Sequence, residues 1–304
     1  MAPLIQFGRD MRHAILGAGG VGLLIGGALA QAGQPVLLIL RPESMDEYPG
    51  GIHVESVVLG EFDVDVPAAR RLDRAVDVLW VTVKATQLDD ALALAAPAVA
   101  PDAIVIPLLN GVDHVDRLRE VFGDDQVIAG AIRVESERVG VGHVVQASPF
   151  ASLHLGPPPG LRERAEAIAT EVGEAGLPCS VRDGEGEVLW GKLALLAPFA
   201  LGTSSVRQPI GPARDDPDVR ALMCAAVGEV CAVAASEGAP VHAEVFTDAL
   251  MSMPDDMRSS MQKDIAAGRA PELDAIAGPV LRRGRQRGIP TPAVEELVRR
   301  IAAG

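Results

Sequence analysis

The stretch Ala14-Ile15-Leu16-Gly17-Ala18-Gly19-Gly20-Val21-Gly22 sets a GxGxxG spacing directly after an apolar run and directly before a helix-forming one. In that order each glycine of the motif has its own task. Gly17 permits a tight turn off a strand, Gly19 lets the backbone approach a pyrophosphate, and Gly22 lets the next helix pack closely on the sheet. Gly20 and Val21 belong to the same cofactor-binding stretch, and the unpaired N–H groups and positive dipole end of the following helix attract phosphate. The chemistry implied is dinucleotide binding. A second candidate, Arg41, ends the next apolar run. A carboxylate there accepts from the adenosine 2′-hydroxyl, whereas a guanidinium binds a 2′-phosphate through paired charge-assisted hydrogen bonds. Arg41 favours NADP(H) over NAD(H), with the alternative that it is a solvated loop residue and Glu43 or Asp46 reads the ribose.

These residues need a sheet to present them. Short apolar runs recur at 13–16, 36–40, 78–83, 104–108 and 126–134, with alanine-rich segments of helical spacing between several of them. Such alternation produces an α/β fold with a doubly wound, Rossmann-like parallel sheet, since parallel strands need crossover helices. Residues 52–66 alternate like a hairpin inserted at one edge, and 143–155 suggest further strands. Gly156-Pro157-Pro158-Pro159-Gly160 reads as a loop. From about Val181 onward amphipathic helical windows follow one another, at 187–201, 217–237, 243–253, 257–267, 271–287 and 291–302. The expected domains are an extension over 1–10, an NADP-binding Rossmann-like domain over 11–180, and an all-helical domain over 181–304.

Four further groups stand in order along the chain: Val83-Lys84-Ala85, Leu109-Asn110-Gly111, Trp190-Gly191-Lys192-Leu193, and Ser259-Ser260-Met261 with Glu272-Leu273-Asp274 behind it. Taken singly they are bland. Lys192 reads as a lysine snorkelling at a helix start, Glu272 as first-turn helix chemistry, and Asn110 equally as an Asn-Gly turn or as a hydrogen-bonding group at a ligand crevice. Together with the glycine fingerprint they resemble the ketopantoate reductase (2-dehydropantoate 2-reductase) family, from Met11 to about Ile301. The resemblance implies reduction of a 2-oxo acid by NADPH, leaving NADP+ and the 2-hydroxy acid, in a cleft between a Rossmann domain and a helical domain. It also implies roles. Lys192 is the general acid that neutralises charge on the carbonyl oxygen, and Glu272 orients substrate and holds Lys192 charged. Asn110 bonds near the nicotinamide or the substrate hydroxyl, Lys84 supports cofactor phosphates or substrate, and Ser260 donates to the substrate carboxylate.

The chain departs from that family on one helical stripe. Positions four and eight after Lys192 lie along the same face, and where the family has asparagines this chain has Leu196 and Ala200. A further asparagine is replaced near Ile210, with Gln208 or Ser205 as stand-ins, and Pro198 should bend or break the helix. A pocket without those amides favours a less polar substrate. Ketopantoate, a more apolar 2-oxo acid and another carbonyl compound of secondary metabolism all stay open. So does a non-catalytic NADP-binding protein, although such a protein has no use for the Lys192 and Glu272 pair.

The chain has 304 residues, 48% of them hydrophobic, and 27 Lys and Arg against 41 Asp and Glu, a net charge of -14. That balance disfavours nucleic acid or an anionic membrane as principal partner. There is no run of 18 apolar residues and no signal-peptide pattern, so a cytoplasmic location is expected. The histidines and cysteines lack CxxC or HxxxH spacing, so no metal site is expected, and Cys224 and Cys231 read as core packing rather than a disulfide. The partner is a small-molecule 2-oxo acid or related carbonyl compound, and a homodimer is left open.

Overall fold

A computed structural model describes residues 11–95, 102–239 and 241–303; the extension expected over 1–10 lies outside them. The chain divides into two compact units, one of Met1–Leu109 and Val115–Arg182, the other of Asn110–His114 and Asp183–Gly304.

In the first unit four apolar runs form strands buried at every position: β1 (His13–Leu16), β2 (Val36–Ile39), β6 (Val78–Val81) and β7 (Ile104–Pro107). Continuous apolar runs suit a parallel sheet covered on both faces. With β5 (Ala68–Ala69) they make a parallel sheet in the order β5-β2-β1-β6-β7. Strand order reverses between β1 and β6, and ligands of open sheets bind at the carboxyl ends of such a switch point.

The hairpin expected over 52–66 forms as β3 (Gly51–Ser56) and β4 (Gly60–Asp65), but it does not edge the parallel sheet. It joins a second sheet, in which β3 pairs in parallel with β9 (His143–Gly156), and β9 also pairs with β8 (Ala129–Gly140) and β10 (Cys179–Val181). The reason is the alternation itself. Ile52 and Val54 are buried while His53 and Glu55 are half-exposed, so β3 offers one apolar face only. That face packs on α1 (Gly20–Gln31), which also packs on β1 and β2. Caught between two sheets, α1 is buried over eight successive residues, Gly22 to Leu29, as a helix apolar all round must be. Short α2 (Pro42–Asp46) and α3 (Leu88–Leu92), then α4 (His114–Phe122) and α5 (Arg162–Glu174), complete the unit, with the first residue of α4 belonging to the other.

The second unit is helical among its described residues: α6 (Glu185–Val206), α7 (Ile210–Asp215), α8 (Pro217–Ser236), α9 (Ala243–Met251), α10 (Ser260–Ala266), α11 (Leu273–Arg287) and α12 (Pro292–Ala303). α6 is central, touching each of the other six. Pro198 does not break it; the helix runs through all 22 residues. Packing against so many neighbours outweighs one missing N–H, as tertiary burial commonly overrides propensity. The Glu229 carboxylate on α8 accepts from the N–H groups of Ala293 and Val294 and so caps α12. α6 and α8 are long and apolar enough to cross a membrane; in α6, 72% of the apolar window is buried within the protein. Cys179, Cys224 and Cys231 are free thiols.

Candidate active site

At the end of β1, Gly17 takes φ +110°, open to glycine alone at little cost. A Cβ there would strike Val83 and the Thr82 backbone. Thr82 Oγ1 donates to the Gly17 carbonyl at 2.6 Å, tying the turn to the end of β6. A Cβ on Gly22 would run into that same carbonyl, so only glycine lets α1 start this close to β1. Gly19, by contrast, faces open space and is the N-cap of α1 without a capping side chain. No acidic residue stands in the first turn, which Gly20 and half-buried Val21 begin. Open backbone, uncapped N–H groups and a positive dipole end fit a dinucleotide pyrophosphate.

Arg41 follows β2 as the exposed residue before α2, and half-buried Lys84 follows β6 before a short 3-10 turn, Ala85–Gln87. Of the two alternative ribose readers, Asp46 pairs with Arg70 at 2.9 Å, and Glu43 is exposed on α2.

The other named residues belong to the second unit, where Asn110 and Glu272 meet. Asn110 Nδ2 donates to Glu272 Oε2 at 3.1 Å across 162 residues of sequence. Glu272 is 8% exposed and stands at the N-cap position of α11. The turn that brings Asn110 there needs Gly111, whose φ is +88° and whose missing Cβ would collide with the Ala275 carbonyl. Four residues after Asn110 comes His114, buried with neither ring nitrogen hydrogen-bonded among the described residues. Its pKa is pushed down to about 3, by burial first and by the positive charge of Lys192 second, against an opposing pull from Asp113. Lys192 therefore lies within electrostatic reach of the 110–114 segment, half-buried on α6.

Two residues before Lys192, buried Trp190 carries the Arg283 guanidinium 5.8 Å from its ring centroid. Arg283 also pairs with Asp113 and Glu237, while Arg282 donates to Asp113 at 2.7 Å and to Asp274 at 2.7 Å. Burial pushes the Asp113 carboxyl up, but the hydrogen bonds from Arg282 and Arg283 outweigh it and hold it below its ordinary value. Ion pairs of Asp113 with Arg282 and Arg283 thus fix the Asn110 turn to α11, and the Trp190 ring under Arg283 links α11 to α6.

Ser260 is exposed as the first residue of α10, and the buried serine is Ser259, which accepts from Gln262 N–H at 3.1 Å and shares a 3.1 Å hydrogen bond with Thr203. Leu196 is half-buried, while Ala200 and Ile210 are fully buried. Ser205 donates to its own Gly202 carbonyl, and Gln208 is exposed. Sequence reasoning missed Asp113, His114, Arg282, Arg283 and the buried side chains of Ser204 and Gln262, which find no partner among the described residues. Asp113 and His114 stand beside the Asn110 motif, and adjacency was the one signal available. Away from these residues, His53, Glu55 and His143 bring one ligand atom each within 4.8 Å of one another, from strands about 90 residues apart where spacing rules do not reach.

Comparison with known proteins shows the family. Residues 13–160 match the family model for ketopantoate reductase PanE/ApbA, and residues 187–303 match the model for the C-terminal part of the same family. The chain belongs to the ketopantoate reductase family. Its relatives include a 2-dehydropantoate 2-reductase of Vibrio cholerae, 27% identical with 96% of this chain and 97% of that one covered. A PanE/ApbA family ketopantoate reductase from Ralstonia eutropha JMP134 is 30% identical, with TM-score 0.85 over 96% of this chain and 98% of that one. A D-mandelate dehydrogenase solved with NADH and anilino(oxo)acetate shares the fold at TM-score 0.87 and 23% identity, again over 96% and 98%. As a ketopantoate reductase family member the chain is an oxidoreductase acting on CH–OH groups with a nicotinamide cofactor.

Proposed function

We propose that this protein reduces a 2-oxo acid to the 2-hydroxy acid with NADPH, that Lys192 is the proton donor, and that the preferred substrate is less polar than ketopantoate. The observation that carries the reading is the group on the 110–114 turn: Asn110 bonded to buried Glu272, with the charge of Lys192 felt at His114. NADPH, when bound, supplies the hydride. The chain must then deal with the charge that develops on the carbonyl oxygen. An ammonium beside that oxygen neutralises it by donating a proton, at a typical gain of about 10²–10⁴ in rate. Glu272 accepts from the amide of Asn110 and fixes it, so that the remaining polar edge of Asn110 is oriented toward substrate. Exposed Ser260 is assigned to the substrate carboxylate.

Exposed Arg41 supports NADPH over NADH, since no carboxylate stands at its position and Asp46 is engaged elsewhere. Lys84, at the end of the neighbouring strand, is assigned to the cofactor phosphates. Half-buried Leu196 supports the apolar substrate, because a site that offers no partner to a substrate hydroxyl leaves it unpaired on binding, whereas Ala200, fully buried inside the helical unit, offers substrate no surface. The fold is shared with a D-mandelate dehydrogenase, so the fold alone does not select ketopantoate. Three free thiols agree with a reducing, cytoplasmic setting.

The test is NADPH oxidation with a panel of 2-oxo acids, ketopantoate included. Apolar 2-oxo acids should show the higher kcat/KM, and Lys192→Ala should lose about 10²–10⁴ in kcat while still binding NADPH. Undiminished turnover by Lys192→Ala would overturn the assignment, and so would NADPH binding without turnover of any 2-oxo acid. Arg41→Ala should narrow the preference for NADPH over NADH.

A further inference from the structure

Along β3, side chains alternate between faces. Ile52 and Val54 turn to α1, so His53 and Glu55 share the opposite face. Strand register places Asp63 of β4 beside His53 on one side and His143 of β9 beside it on the other. Three strands therefore lay Asp63, His53 and His143 in one row, with Glu55 next to it. The two imidazole rings meet edge to face at 4.6 Å. Both Nε2 atoms approach the same carboxylate oxygen, Glu55 Oε1, His143 at 2.6 Å and His53 at 3.7 Å. The other nitrogen of His53, Nδ1, lies 2.9 Å from Asp63 Oδ1.

We propose that His53, Glu55 and His143 form a binding site for a divalent transition-metal cation of the zinc class, with Asp63 as the outer partner that orients His53. Such ions take imidazole nitrogen and carboxylate oxygen at about 2.0–2.2 Å, which puts tetrahedral ligand atoms roughly 3.3–3.6 Å apart. The two Nε2 to Oε1 separations bracket that spacing, so small side-chain rotations suffice. The tautomer of His53 is also correct, whereas His143, whose Nε2 donates to Glu55 Oε1 at 2.6 Å, must release that proton for the nitrogen to ligate. An ionised Asp63 only accepts, so Nδ1 of His53 carries the proton and Nε2 presents its lone pair toward Glu55. A carboxylate behind a ligating histidine is the usual outer-shell partner of a metal. With neutral imidazoles the four side chains total two negative charges, and Glu61, exposed and opposite Glu55 in register, adds a third nearby. A divalent cation offsets that charge.

An ion held here ties β3 to β9, and β3 in turn backs α1, the helix that opens at Gly20. Three protein ligands leave a coordination position for water or one further ligand. The site is half-buried and carries none of the residues assigned to catalysis.

Full-length protein stripped with a chelator and titrated with Co(II) and Zn(II) tests the proposal without any measure of turnover. One equivalent of Co(II) should develop the visible absorption of a four- or five-coordinate ion, and Zn(II) should displace it and raise the thermal midpoint. Glu55→Gln and the double variant His53→Ala/His143→Ala should abolish the Co(II) spectrum. Asp63→Asn should bind about 10–100-fold more weakly, as for outer-shell partners elsewhere. Circular dichroism and NADPH binding establish that each variant is folded, and Glu55→Gln carries the test if the double variant is not. A wild-type protein that takes up no metal, or variants that bind it as tightly, would falsify the site and leave an ordinary histidine–carboxylate cluster.

Discussion

His114 shows how a single side chain records the polarity of the site. Its ordinary pKa of 6.5 falls to about 3 because burial and the Lys192 charge both oppose a second positive charge. Between those values the unfolded chain binds a proton that the folded chain does not. Folding stability therefore rises with pH across the window and falls as pH drops from 6.5 toward about 3; above 6.5 both states are neutral and His114 contributes no pH dependence. The slope from this residue is at most ~1.4 kcal/mol per pH unit. Urea midpoints across that window should fall steeply for the wild type and less steeply for His114→Leu, and parallel profiles would show that His114 is not the group responsible. Motif order singled out Asn110, Lys192 and Glu272 in sequence, and the fold brings Asn110 and Glu272 into hydrogen-bond contact. The ion pairs of Asp113 were not legible there, because Asp113 and Arg282 lie 169 residues apart and charges in sequence do not announce their partners.

At the scale of elements, the glycine fingerprint separates fold from binding. Gly22→Ala puts a methyl group into the Gly17 carbonyl and should destabilise the protein by roughly 1–3 kcal/mol, the usual cost of overpacking. Gly19→Ala meets open space at an ordinary backbone conformation and should leave the melting temperature of the free protein nearly unchanged while weakening NADPH binding several-fold. Calorimetry with and without NADPH distinguishes the two, and a Gly19→Ala variant that binds NADPH normally would remove the pyrophosphate from this loop. A second element-level contact is the buried row Trp80, His13 and Glu171. The indole donates to His13 Nδ1 at 3.1 Å, so the other ring nitrogen carries the proton toward Glu171 at 3.1 Å. Trp80→Phe orphans Nδ1 and should lower stability by about 1–3 kcal/mol in urea titrations. The strands of the parallel sheet were legible because runs buried on both faces are continuously apolar. The second sheet was not, because the alternation of β3 says that one face is buried and not which strand lies beside it; its partner β9 begins some 90 residues later. Pro198 misled for a related reason, since local propensity is blind to the helices packed around α6.

For the whole chain the telling feature is its path. The chain leaves the first unit after Leu109, gives five residues to the second, and returns at Val115. A cut at the obvious boundary, between Arg182 and Asp183, therefore strips the helical unit of Asn110, Asp113 and His114. Glu272 loses its 3.1 Å donor, at a cost of about 1–3 kcal/mol for a buried charged acceptor. Arg282 and Arg283 lose Asp113, worth at most about 1 kcal/mol because Asp113 and Arg282 are more than a third exposed and solvent screens them. An isolated 183–304 fragment should thus unfold at lower urea than the same helices in the full chain, by the equivalent of about 1–4 kcal/mol. Fusing residues 109–115 ahead of Asp183 through a flexible linker should recover part of that loss, and Asn110→Ala within the fusion should recover less. The Asp113 share carries its own pH signature. Its carboxyl is held below the ordinary value, so its contribution is present above that value and is lost as pH falls through the lowered folded pKa. Equal urea midpoints for the fragment and the fusion would mean that the 110–114 turn rests on the helical unit without stabilising it, and the site would then have to be ordered by substrate rather than built into the fold.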